Sequence, residues 1–233
     1  MDLKSMVYEV THPILAMVRS NHWLIKQLFG VKVPAEVDVS FDPTTVALRQ
    51  AVCDTLTPDD TAVFEMGIGQ AALVGLSVAK QCHVELHGAD CSTARVESSQ
   101  RVAEANDVST RFVVSDLFSS VDAESRYDVI FFNVPYVPSQ QGQDLQLTKR
   151  LGVDGDQVWD GGPDGTQVLR EFLNQAPAFL SPHGRVVFGV QNLFVPDDVV
   201  LQVIEDCKYQ LVQRSTRRWV PSCCYVVCPA AAR

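Results

Sequence analysis

The chain has 233 residues, 46% of them hydrophobic and 20% charged, with a formal net charge of −9. That is long enough for one large α/β domain, and too acidic for a sequence-independent grip on a nucleic-acid backbone, which needs a basic face. No apolar run reaches the roughly 20 residues of a bilayer span, Asp2 and Glu9 break the order of a leader peptide, and seven cysteines without a CxxC pair argue for reduced thiols. A cytoplasmic chain without membrane contact, disulfide framework or zinc knuckle is expected.

Residues 1 to about 40, including HPILAMVRSNHWLIKQLFG, read as one or two amphipathic helices that pack on the domain or shield its pocket, leaving residues 41–233 as the main domain. From about residue 60, short apolar runs alternate with helical patterns. TAVFEMG reads as a strand and AALVGLSVAK as a helix; HVELHGAD is a second strand, followed by the helical STARVESSQRVAEAN. RFVVSDLF and YDVIFFN make the third and fourth strands. After a polar loop, Asp164 to Ala178 is helical, GRVVFGVQN is a fifth strand, and PDDVVLQVIEDC is a helix opened by Pro196. YQLVQRSTRRWV and SCCYVVC have no helix between them and should pair as an antiparallel hairpin at the sheet edge. The alternation predicts a doubly wound, mostly parallel seven-stranded Rossmann-like sheet with that hairpin at its C-terminal end.

Ligands of such sheets bind beyond the carboxyl ends of the strands. The first strand ends in EMGIGQA, where Glu65, Gly67 and Gly69 open a helix; such a turn is also ordinary packing. Asp90 closes the second strand, placed to accept both hydroxyls of a ribose or to cap the helix near Ser92. Asp116 closes the third, where it can accept an adenine amino hydrogen with Leu117 or Phe118 against the ring, or serve as a turn aspartate. In order, these acids and glycines describe a nucleoside site. Residue 72 is alanine where GxGxxG has its third glycine, and Glu65 would repel a pyrophosphate, so a cationic ligand such as S-adenosylmethionine fits better than a dinucleotide. The fourth strand ends in NVPYVPS, with an amide, Asn133, where a core has no use for one.

These motifs resemble class I S-adenosylmethionine-dependent methyltransferases, and more narrowly the HemK/PrmC family of glutamine N5-methyltransferases. The resemblance is carried by FDPTT (Phe41 to Thr45), FEMGIGQA, HGAD, RFVVSDLF, YDVIFFNVPYVPS and GGPDGTQVLREFL (Gly161 to Leu173). It implies S-adenosylmethionine as methyl donor, leaving as S-adenosylhomocysteine, held by Glu65, Gly67, Gly69, Asp90, Cys91, Asp116, Leu117 and Asn133. It implies further that the segment Asn133, Val134, Pro135 and Tyr136 does the acceptor chemistry: the Asn133 side-chain oxygen and the Val134 carbonyl take the hydrogens of the target nitrogen, and Tyr136 packs on its planar group. The family carries Asn-Pro-Pro-Tyr, so Val134 replaces the first proline; Ala71 replaces the third glycine of the methyltransferase loop.

The implied acceptor is a protein glutamine. The shortness of the N-terminal region leaves open a small-molecule amine or amide, methylated on nitrogen or oxygen, and the departures at Val134 and Ala71 leave open a non-catalytic cofactor-binding scaffold. No metal is expected: His83 and His87 are four apart, but in a strand pattern. Arg214, Arg217 and Arg218 read as a solvated strand face. Trp159 with the aspartates at 154, 156, 160 and 164 reads as a solvated loop or as a lid that selects a polar or cationic substrate.

Overall fold

A computed structural model describes residues 20–151, 155–216 and 222–230. Its centre is a seven-stranded sheet of β1 (Ala62–Met66), β2 (Glu85–Asp90), β3 (Thr110–Val114), β4 (Tyr127–Asn133), β5 (Leu180–Gln191), β6 (Tyr209–Thr216) and β7 (Ser222–Pro229), in the order β3-β2-β1-β4-β5-β7-β6. The first five strands are parallel, and β7 runs antiparallel to both β5 and β6. The expected hairpin is present, but its second strand inserts beside β5 and leaves β6 at the edge.

Alternation along each strand sorts the core into two layers. Val129 and Phe131 of β4 face one cluster, while Ile130 and Phe132 face the other. The first cluster is covered by α1 (His22–Phe29), α2 (Pro43–Thr55), α3 (Leu73–Cys82) and α4 (Thr93–Glu104). Between β4 and the next long helix lie α5 (Ser139–Asp144) and α6 (Leu147–Leu151). The second cluster is covered by α7 (Gln167–Gln175) and α8 (Asp197–Asp206). Helices on both faces of a parallel sheet put the reversal of strand order between β1 and β4, where ligands of this architecture bind.

Residues 20–40 have no core of their own. Ile25, Phe29, Val31, Val33, Val37 and Val39 all join the α2–α4 cluster. Lys80 near the end of α3 donates to the Gly30 carbonyl at 2.8 Å, and Asn106 beyond α4 holds the backbone of Lys32 on both sides. Gly30 and Lys32 are thereby fixed at the C-terminal ends of α3 and α4, and Phe29 packs on Phe41 at 5.4 Å. Residues 1–19 of the expected cover lie outside the described residues.

The polar loop expected after the NVPY segment folds into α5, α6 and a short 3-10 turn, Asp156–Val158. Trp159 is the reason. Its indole is buried against Gly142 of α5 and donates to Thr148 Oγ1 at 3.0 Å, so the segment closes over an aromatic anchor. Trp159 belongs to the core, and Asp160 is spent on Ser139 and the Gly162 N–H; neither forms a lid. Residue 154 and the side chain of residue 156 lie outside the described set, as do Arg217 and Arg218. Arg214 pairs with Asp197 at 2.8 Å across to α8. His83 is the left-handed C-cap of α3 rather than a strand residue, and His87 bonds Tyr127 and Glu85; no metal-binding cluster occurs among the described residues. None of the described helices is long and apolar enough to cross a membrane.

Candidate active site

The carboxyl ends of β1, β2 and β4 converge at the switch point. After β1 the Gly67 N–H donates to the Ala89 carbonyl at 2.7 Å, tying the turn to the end of β2. Gly69 sits at φ +62° with open space where a side chain would project, a conformation glycine adopts without strain. Ala72, in the third-glycine position, holds φ +43° and ends the turn into α3.

Glu65 does not lie on the open face of this turn. It is buried, and its Oε2 accepts the Gly75 N–H at 2.9 Å, supplying α3 with the N-terminal acceptor that Ala72 lacks. Burial, and after it the nearby Asp90, push its carboxyl up to about 8 against the pull of the Gly75 N–H. At neutral pH it is mostly protonated, so the reading of Glu65 as a charge that repels phosphate and favours a cation is corrected.

Asp90 is buried at the end of β2, with every contact turned toward its own loops. Oδ2 accepts the Gly69 N–H at 3.0 Å; Oδ1 accepts the Ser92 N–H at 3.0 Å and faces Arg95 at 3.4 Å. The cap position of α4 is Ser92, so Asp90 is not the helix cap. Cys91 is exposed beside it, its thiol raised by burial and by Asp90 and opposed by Arg95. Beyond β3, Asp116 is exposed, and Leu117 holds φ +46° and is half-buried. Phe118 stacks on Phe179 at 4.5 Å and belongs to the core, which leaves Leu117 as the apolar group available to a ligand.

At the end of β4, Asn133 pairs with Gly189 of β5. Its Oδ1 is buried and has no hydrogen-bond partner among the described residues. Buried carbonyl oxygens are nearly always satisfied, and one that is not costs about 1–3 kcal/mol, so this atom marks a place for an outside donor. Val134 and Pro135 are buried, and Tyr136, 8% exposed, donates its hydroxyl to Asp42 Oδ2 at 3.3 Å beside Phe194. Asp42 is the N-cap of α2, in a reciprocal box with Thr45. FDPTT is thereby physically joined to the NVPY segment.

The GGPDG segment props the same loop from below. A Cβ on Gly165, at φ +77°, would stand 2.5 Å from the Tyr136 carbonyl, and one on Gly161 would stand 2.8 Å from that of Pro135. Asp164 accepts the N–H and hydroxyl of Thr166; these bonds hold it below the usual range although burial pulls upward. Ser99 of α4 donates its hydroxyl to the Gly69 carbonyl at 2.9 Å; it, Asp42, Arg95 and the two glycines were not singled out from sequence for these contacts. The Asp-Pro pair of a helix start could have flagged Asp42, whereas nothing in the helical pattern marks the others.

The methyltransferase small domain family matches residues 38–158, just over half of the chain. A protein named as a candidate N5-glutamine methyltransferase in Methanocaldococcus jannaschii is 28% identical over 200 residues, covering 85% of this chain and 94% of that protein. The release factor glutamine methyltransferase of Geobacter sulfurreducens is 30% identical over 139 residues, 59% of this chain; the match spans 46% of that protein, less than half its length. Among solved structures, a methyltransferase of Pyrococcus furiosus superposes with a TM-score of 0.62 at 19% identity, over 94% of this chain and 97% of that one. The chain therefore belongs to the methyltransferase small domain family, as an S-adenosylmethionine-dependent enzyme resembling the HemK/PrmC methyltransferases.

Proposed function

We propose that the protein methylates the side-chain amide nitrogen of a glutamine in a protein substrate. The observation that carries this reading is the buried, unpartnered Oδ1 of Asn133 at the switch point. An amide nitrogen is a poor nucleophile because its lone pair is delocalised. Two fixed acceptors, Asn133 Oδ1 and the Val134 carbonyl, would take its two N–H bonds and orient the lone pair for in-line attack, with Tyr136 against the planar group. No strong base is needed beforehand, since the proton can leave as or after the bond forms.

The cofactor, when bound, supplies an electrophilic methyl group on a sulfonium. The residues fit it: open space over Gly69 admits a ligand to the backbone, Asp90 would take the ribose hydroxyls, and Asp116 with Leu117 would take the adenine. Gly67, Cys91 and the buried Glu65 shape the turn around it. For Asp90 to accept a hydroxyl, Arg95 at 3.4 Å is the contact most easily given up. The half-length match to the release factor enzyme and the full-length match to the archaeal protein both favour a protein glutamine.

The test is methyl-labelled S-adenosylmethionine with the purified protein and a bacterial release factor, the product mapped by mass spectrometry, with free glutamine and other small primary amides in parallel. Label on a glutamine side chain of the release factor is expected. Label on a small amide would move the acceptor to a metabolite, and no transfer to any amide would reject the reading.

A further inference from the structure

Strand β5 ends at Gln191, just beyond the Gly189 that pairs with Asn133, so the turn that follows it starts at the rim of the acceptor clamp. This turn is tightly held. The N–H groups of Phe194 and Val195 both donate to the Gln191 carbonyl, at 3.0 and 3.2 Å. The Asn192 amide donates to the Val195 carbonyl and to the Tyr225 hydroxyl, each at 3.2 Å, and that hydroxyl donates to Asp197 Oδ1 at 2.6 Å. Phe194 and Val195 turn inward: the Phe194 ring lies 6.0 Å from that of Tyr136, and Val195 is buried against Gly165.

Leu193 does the opposite. It is 72% exposed, more than any other large hydrophobic side chain among the described residues. Singly exposed apolar residues are common and need no explanation in themselves. This one differs in its footing and its place. The turn beneath it is already fixed, so seating Leu193 against a partner costs little beyond the freedom of its own side chain. Its neighbour Phe194 pairs with the tyrosine of the acceptor clamp. An apolar group on the molecule that carries the target amide can therefore meet Leu193 while the amide occupies the clamp.

The charge around the turn defines the partner further. Asp164, adjoining the Gly165 on which Val195 packs, and Asp198, in the first turn of α8, are both exposed carboxylates. The guanidiniums of Arg170 and Arg214 are paired with Asp206 and Asp197. An acidic rim around an apolar contact suits a basic surface.

We propose that Leu193 is a specificity-determining residue: it docks an apolar side chain of the acceptor protein beside the target glutamine, on a basic face of that protein. This rests on the protein-glutamine reading, and the two can fail separately.

The experiment is steady-state methyl transfer to a bacterial release factor by wild type, Leu193→Ser, Leu193→Met and Asp198→Asn, with the melting temperature of each recorded to show that the exposed substitutions leave the fold intact. Leu193→Ser should raise KM for the release factor about tenfold with kcat retained. Leu193→Met, which keeps the apolar contact, should stay near wild type. Asp198→Asn should raise KM about threefold at low salt and by less at high salt. An unchanged KM in Leu193→Ser would overturn the proposal, as would a fall in kcat without a rise in KM, which would reduce the turn to a support for Tyr136. A KM that Asp198→Asn leaves unchanged or lowers would overturn the basic face. Failure of the wild type to methylate the release factor at all would reject the glutamine reading itself, and this proposal with it.

Discussion

Burial decides the charge of Glu65, and this gives a pH signature. Its folded carboxyl is raised from an ordinary 4.5 to about 8, so the stability it contributes is complete below about 4.5 and declines as pH rises toward 8, above which the loss is constant. Glu65→Gln keeps an acceptor for the Gly75 N–H without the ionisable proton. The melting temperature of the variant relative to wild type should climb between pH 5 and 8 and then level off; a constant difference across that range would mean that Glu65 is already ionised. At the acceptor end, Asp42→Ser retains a capping oxygen for α2 but is too short to reach Tyr136. Asp42→Ser and Tyr136→Phe should each raise the barrier to transfer by about 1 kcal/mol and together cost no more than either alone. Additive effects in kcat/KM would separate the two residues.

Among the elements, the loop from Val134 to Tyr136 is shaped by the GGPDG segment more than by its own sequence. Gly165→Ala places a Cβ 2.5 Å from the Tyr136 carbonyl in a left-handed conformation, and should cost about 2 kcal/mol or more in denaturant unfolding together with most of the turnover. A variant of wild-type stability would show that the loop gives way. The strands and long helices were legible because their apolar periods are undiluted, as in YDVIFFN and GRVVFGVQN. The region between Pro138 and Asp160 was not, because α5 and α6 are short and largely polar; what orders them is one buried indole, Trp159, packed on Gly142. Ser99 was equally silent in sequence: it reads as one of several polar residues on a helix face, and only the fold brings it to Gly69.

For the whole molecule, the doubly wound sheet and its C-terminal hairpin could be read from the order of elements. The insertion of β7 between β5 and β6 could not, since a hairpin pattern leaves open which strand joins the sheet. Distant parts of the chain meet at the switch point, with β1, β2 and β4 contributing strand ends and α2 contributing Asp42, so ligand binding should be felt globally. S-adenosylhomocysteine at a hundredfold its Kd should raise the melting temperature by about 5–10 °C, from linkage of about 2.7 kcal/mol in a chain of this size. No shift would mean that the ligand does not bind the folded chain.

The most direct test of the account is Asn133→Ala, read in two ways on the same preparation: S-adenosylmethionine affinity by calorimetry and the rate of labelled-methyl transfer to the acceptor. The account predicts cofactor affinity within about threefold of wild type and turnover reduced about a hundredfold or more, because the lost oxygen orients the acceptor amide. Transfer at the wild-type rate would contradict it.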